Sequence, residues 1–132
     1  MTRPRSPPVK IVRTLDPKFN APREARRTLR ALDAIVPRER LDDLRLVVSE
    51  LVTNSVVHGG AESGDRIVMV VKVLPERVRV EVVDHGRRSP AAPERRREHH
   101  GRGLAIVDRL AERWGTERNS GTKVWAEVPL SA

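Results

Sequence analysis

The pattern of apolar and polar positions along the chain predicts short strands and intervening helices. Strict alternation predicts a strand over 77–84, and a continuous β-branched run predicts a buried strand over 67–74. Apolar residues three and four apart predict helices. The predicted elements are, in order, a strand over 9–15, a helix from Asn20 to Pro37, a helix over about 39–58, the strands over 67–74 and 77–84, a helix over about 103–114 that ends at Trp114, and a hairpin turning at 119–121.

The same spacing predicts which side chains face the core. In the strand over 77–84, Val78, Val80 and Val82 should point inward. Arg77, Arg79 and Glu81 should point outward. The positions predicted to line the inner faces of the first two helices are Ala25, Leu29, Leu32, Ile35, Val36, Leu41, Leu44, Val48, Leu51, Val52 and Ser55.

This element order predicts an α+β two-layer sandwich. Its strands form hairpins rather than repeated βαβ units, so helices should cover one face of a mixed, mostly antiparallel sheet. Doubly wound dinucleotide folds are excluded by that order. We expect a flexible tail over 1–8 and a single domain over 9–132, with the polar loop over 85–100 as its functional edge.

Composition narrows the functional classes. The chain of 132 residues has no cysteine, which excludes disulfides, thiol nucleophiles and thiolate metal sites. No apolar run approaches the roughly 20 residues of a membrane span, and the amino-terminal segment is unlike a signal peptide. We therefore expect a soluble cytoplasmic protein.

The net charge of +8 is concentrated in two segments. Residues 1–30 carry nine basic side chains against two carboxylates, and residues 85–102 carry six arginines against two glutamates. Such clusters favour anionic partners, although for the cluster over 1–30 a merely solvated basic surface is an equal alternative. Few aromatic side chains are available for base stacking, so direct nucleic-acid binding is disfavoured.

Four short segments contain residues that could act in binding or catalysis. Glu50 and Asn54 lie four residues apart in the second helix and so share a face, where their oxygens suit Mg²⁺ or a base beside a metal ligand. Asp84 and Gly86 end a buried strand, where the carboxylate could accept a hydrogen bond from an exocyclic amine. Taken singly, each could instead be an ordinary polar helix face or strand-end turn.

The segment that opens the third helix resembles a phosphate site. Gly101 and Gly103 would expose backbone N–H groups at a helix start, and Arg102 could close over the phosphates ahead of Leu104. Thr122 follows a glycine and opens the last strand. Gly-x-Gly and Gly-Thr are weak signals alone, because turns often supply them.

The order of these motifs closely resembles the nucleotide-binding boxes of the GHKL superfamily of gyrase-type ATPases, histidine kinases and mismatch-repair ATPases. Two sequence motifs resemble those of the bacterial anti-sigma-factor serine kinase branch: Glu-Leu-Val-Thr-Asn-Ser-Val-Val-His and Gly-Arg-Gly-Leu-Ala-Ile-Val-Asp. The resemblance spans about residues 20–130 and implies a Bergerat-type ATP-binding fold that uses ATP and Mg²⁺.

The resemblance also implies roles for individual residues. Asn54 would hold Mg²⁺, Glu50 would be the general base for an attacking serine hydroxyl, and Asp84 would read the adenine amine. Thr122 would support that contact, and Gly101 and Gly103 would bind the phosphates. The family further implies a sigma factor and a STAS-type anti-anti-sigma protein as partners, often a homodimer, and no membrane association.

One departure from the family pattern leaves an alternative open. The family has Asp-x-Gly-x-Gly, whereas Arg88 replaces the second glycine here. Arg88 could restrict loop closure or add a phosphate contact. The leading hypothesis is a protein serine/threonine kinase that also binds a sigma factor. The first alternative is a non-catalytic binding module with weakened nucleotide binding, and the second is a small nucleic-acid-binding protein.

Overall fold

A computed structural model describes residues 9–57, 66–84, 104–118 and 121–131. The elements in these ranges are β1 Val9–Leu15, α1 Ala21–Thr28, a short 3-10 helix Leu29–Leu32, α2 Arg38–Ser55, β2 Ile67–Val73, β3 Arg77–Asp84, α3 Leu104–Leu110, β4 Arg113–Arg118 and β5 Thr122–Pro129. The described strands form one sheet in the order β1-β2-β3-β5-β4, with antiparallel pairing throughout. The predicted α+β fold with a mostly antiparallel sheet is confirmed, and no described pair is parallel.

Helix α2 forms the centre of the core. It begins directly after Pro37, whose missing N–H costs nothing at a helix start. Its buried stripe packs against β2, β3 and β5, and α1 and α3 lie against its flanks. Each fully buried Leu or Val contributes about 1.5–3 kcal/mol. The buried residues of α2 are Leu41, Leu44, Val47, Val48, Leu51, Val52 and Ser55.

The first helix is shorter than its apolar spacing predicts. The Thr28 hydroxyl donates to the carbonyl oxygen of Glu24 at 3.0 Å, a local bond that competes with regular helix. The backbone then tightens into the 3-10 turn, which brings Leu29 and Leu32 onto one side, both fully buried. Ile35 consequently lies outside the helix and is 49% exposed, so its prediction as a core residue is wrong.

The third helix also ends earlier than predicted. Helix α3 stops at Leu110, and Trp114 lies in strand β4 instead of closing the helix. The N–H of Glu112 already bonds to the carbonyl of Glu127 at 2.7 Å, so pairing with β5 takes over from helical bonding. The indole Nε1 of Trp114 donates to Asp108 at 2.8 Å. No helix in the described part of the chain is long and apolar enough to cross a membrane.

The sheet face opposite the helices carries a layered cluster of charges. Glu81 and Glu127 are only 7% and 5% exposed on this face, although Glu81 points away from the helices as predicted. Arg79 bonds to both carboxylates, at 2.7 and 2.9 Å, and its guanidinium lies 4.3 Å from the centroid of the Trp125 ring. Neighbouring cationic side chains and an aromatic ring therefore shield the two carboxylates from water on this face.

The cations determine the ionisation of both carboxyl groups. Burial alone would raise the pKa of Glu127, but hydrogen bonds from Arg113 and Arg79 outweigh it and hold the pKa below the usual value. Burial would likewise raise the pKa of Glu81, but the hydrogen bond from Arg79 and the nearby charges of Lys123 and Lys72 outweigh it and hold the pKa below the usual value. Both carboxylates thus stabilise the fold when they are ionised.

Glu127→Gln is expected to lower the free energy of unfolding by about 1–3 kcal/mol at pH 7, because it strips Arg79 and Arg113 of a charged acceptor. The folded-state pKa of Glu127 is lowered from 4.5, so its contribution is complete above that pH and is lost as pH falls through the folded pKa. The difference in free energy of unfolding between wild type and variant should therefore become smaller at acid pH. Urea unfolding of both proteins at pH 7 and at a pH below the folded pKa measures this change. Glu117→Gln, at an exposed position of the same face, should change stability by less than about 0.5 kcal/mol. An equal gap at neutral and acid pH would contradict this assignment.

Candidate functional site

Two of the predicted site residues lie on the last turns of α2. Glu50 and Asn54 are half-buried and one helical turn apart, beside the fully buried stripe of Leu51 and Val52. The spacing that predicts a shared face is therefore realised within a regular helix. Their partial exposure leaves both side chains accessible to a ligand at this edge of the core.

Asp84 occupies the end of β3 on the helix-covered face of the sheet. It follows Val78, Val80 and Val82 on that face and is 4% exposed. A carboxylate at this depth needs hydrogen-bonding partners, because burial of an unpaired charge is costly. This burial is the first sign that the strand end is more than a surface turn.

Thr122 lies directly opposite Asp84 in the sheet. Strand β5 pairs with β3, and Asp84 and Thr122 are register partners, with Ile67 of β2 opposite Asp84 on its other side. Two residues separated by 37 intervening positions in the sequence, 85–121, are thus neighbours on one row of the sheet. The predicted adjacency of the two side chains follows from this register.

A residue that sequence reasoning assigned only to the core joins the site. The Ser55 hydroxyl donates to Oδ2 of Asp84 at 3.4 Å, across the contact between α2 and β3. Ser55 is 2% exposed and directly follows Asn54. The available signal was a hydroxyl side chain at a position where the helical stripe calls for an aliphatic one. The bond ties the Glu50–Asn54 edge of α2 to the buried carboxylate.

Leu104 opens α3 and is 6% exposed, and Val107 one turn later is fully buried. Helix α3 packs against α2, so the start of α3 is anchored to the helix that carries Glu50 and Asn54. Gly86, Gly101, Arg102, Gly103 and Arg88 lie outside the described residues, and their roles stay predictions.

The described part of the chain holds no group of three or more His, Asp or Glu side chains arranged to bind a metal ion. Mg²⁺ commonly binds through one or two protein oxygens together with substrate phosphates. The carboxamide oxygen of half-buried Asn54 is a donor of the required type. A polar cavity of about 330 Å³ lies elsewhere, between β1 and the start of α1, and none of the predicted site residues line it.

Comparison with known proteins identifies the family. The sequence profile of the histidine kinase-like ATPase domain matches residues 16–128, nearly the whole chain. The chain therefore belongs to the histidine kinase-like ATPase domain family, and membership in this family of ATPase domains implies a site for ATP.

Two individual proteins refine the comparison. The anti-sigma F factor of Clostridium acetobutylicum is 33% identical over 48 residues, which are 36% of this chain and 34% of that protein. The crystal structure of the RsbU and RsbW domains of Rv1364c from Mycobacterium tuberculosis superimposes with a TM-score of 0.68 at 27% identity, covering 96% of this chain and 33% of that one. The chain thus matches about a third of the length of each. These matches confirm the resemblance to the GHKL superfamily and its anti-sigma-factor branch.

Proposed function

We propose that the chain binds ATP with Mg²⁺ and acts as an anti-sigma factor with serine/threonine-protein kinase activity toward a STAS-type anti-anti-sigma protein. The observation that carries the proposal is the buried Ser55–Asp84 pair, which lies beside the Glu50–Asn54 edge of α2. The buried carboxylate opposite Thr122 would be a specific acceptor for the 6-amino group of adenine.

Glu50 and Asn54 would divide the chemistry at the phosphate end. The Asn54 carboxamide oxygen would hold Mg²⁺, which when bound neutralises charge on the β- and γ-phosphates. Glu50 would accept the proton of the attacking hydroxyl. At the same time the hydroxyl oxygen would form a bond to the γ-phosphorus, and ADP would leave with the bridging oxygen. A positioned base of this kind contributes about 10²–10⁴-fold to the rate.

The first helix offers a surface for the protein partners. Arg23 and Arg27 are exposed on α1, Arg30 is exposed on the 3-10 helix that follows it, and Phe19 just ahead of α1 is 94% exposed. A basic face beside an exposed aromatic ring suits an acidic protein surface that has an apolar recess. We further propose that the protein binds a sigma factor, that it forms a homodimer and that it is located in the cytoplasm.

Transfer of labelled phosphate tests the proposed activity. The chain is incubated with γ-labelled ATP, Mg²⁺ and a STAS-type protein encoded in the same genome. We expect label on one serine or threonine of the STAS-type protein and none when that residue is changed to alanine. A stable complex of the two proteins without any transfer of label would instead establish a non-catalytic binding module.

A further inference from the structure

Ser55 occupies a position where an apolar side chain would be expected. It continues the buried stripe of α2 one turn after Leu51 and Val52, both fully buried, and is itself 2% exposed. A buried hydroxyl is unfavourable unless it is hydrogen-bonded. An alanine here would keep the helix and avoid that cost, so the hydroxyl calls for an explanation beyond packing.

The hydroxyl is paired with the carboxylate of Asp84. Among the described residues, Ser55 and Asp84 are the buried polar side chains on the helix-covered face, since Glu81 and Glu127 lie on the opposite face. The Oγ–Oδ2 distance of 3.4 Å is long for a hydroxyl–carboxylate bond. Hydrogen bonds of catalytic groups are often long in the free enzyme and shorten in the complex, and we expect the Ser55–Asp84 bond to shorten in the same way.

We propose that Ser55 is a positioning residue that orients the Asp84 carboxylate toward the 6-amino group of adenine and so sets the preference for 6-amino over 6-oxo purine nucleotides. The inference rests on the proposed ATP site. In this proposal Ser55 contributes to the selection of the base at the ATP site without contacting the phosphates.

The reason lies in the torsional freedom of a carboxylate. Rotation about the terminal bond of Asp is soft, so the direction of its two oxygens depends on the groups that hydrogen-bond to them. A hydrogen bond to Oδ2 from the neighbouring helix restricts that rotation. A 6-oxo purine presents an acceptor where adenine presents a donor, so a carboxylate held in place repels it, whereas a loosely held one can turn aside.

Discrimination between ATP and ITP tests the inference. Dissociation constants for both nucleotides with Mg²⁺ are measured by calorimetry on the full chain. We expect wild type to prefer ATP by more than about tenfold, and Ser55→Ala to reduce that preference at least about fivefold. Ser55→Thr keeps the hydroxyl and should restore the preference. The ratio of the affinities for ATP and ITP reports base selection alone, because partial unfolding of a variant would lower the apparent affinity for both nucleotides equally.

Ser49→Ala is the matched control on the same helix. Its hydroxyl donates to the Arg45 carbonyl and accepts from Arg26, away from Asp84, so the ATP-to-ITP ratio should stay at the wild-type value. If Ser55→Ala does not fold, Ser55→Cys offers a similar volume with a weaker donor and should also reduce the ratio. An unchanged ratio in a variant that binds ATP overturns the role of Ser55 alone. Absence of ATP binding by wild type overturns the proposed ATP site and this inference with it.

Discussion

Asp84→Asn is expected to weaken ATP binding about 10- to 150-fold, the equivalent of losing a hydrogen bond to a charged acceptor worth about 1.5–3 kcal/mol. The carboxylate is 4% exposed, so water cannot replace the lost acceptor readily. The carboxamide also brings an N–H₂ group that faces the adenine amine donor-to-donor in one of its orientations. Calorimetric titration with ATP and Mg²⁺ measures the change.

The same substitution should leave the fold intact. Asparagine has nearly the same shape as aspartate, and its carboxamide oxygen can still accept the hydrogen bond from Ser55, so thermal unfolding without nucleotide is expected close to the wild-type temperature. Asp42→Asn is the matched control, since it makes the same charge change at an exposed position of α2 about 18 Å along the helix from Asn54. Wild-type affinity in Asp84→Asn would show that adenine is not read at the end of β3.

Glu50→Gln is expected to slow phosphoryl transfer about 10²–10⁴-fold with little change in the dissociation constant for ATP. Glutamine keeps the size and hydrogen-bonding capacity of the side chain but cannot take up a proton from the attacking hydroxyl. The pair of measurements is the initial rate of label transfer to the STAS-type protein and the calorimetric affinity for ATP.

Glu39→Gln provides the comparison for Glu50→Gln. Glu39 lies exposed in the first turn of the same helix, three turns before Glu50, and loses the same charge. We expect wild-type transfer in that variant. If Glu50→Gln transfers phosphate as fast as wild type, another group must accept the proton, and if it loses ATP binding as well, Glu50 acts in binding rather than as a base.

Local periodicity was enough to predict most of the architecture. The alternating valines of β3 and the 3.6-residue stripe of α2 predicted both elements close to their actual bounds. The hairpin turning at 119–121 predicted a strand before the turn, but its start was misplaced because Arg113–Arg118 has no apolar alternation of its own and becomes a strand by pairing with β5. The burial of Glu81 also depends on cross-strand neighbours, which a single strand's pattern does not contain.

The site was predictable where it depends on helix geometry and not where it depends on register. The four-residue spacing of Glu50 and Asn54 defines a common helix face without any tertiary information. That Asp84 lies opposite Thr122 requires β5 to lie between β3 and β4, which strand periodicity does not contain, so this contact was predicted from the family resemblance alone. Ser55 fitted the apolar stripe so well that its hydroxyl was taken as part of the core.

The central claim is that ATP binds between the end of α2 and the end of β3, and a titration of ¹⁵N-labelled protein with ATP and Mg²⁺ followed by NMR tests it most directly. We expect saturable shifts that centre on Glu50, Asn54, Ser55, Asp84 and Thr122, with the amides around Glu127 and Arg113 little changed. Shifts confined to the open sheet face or to the cavity beside β1, or no shifts at millimolar ATP, would contradict it.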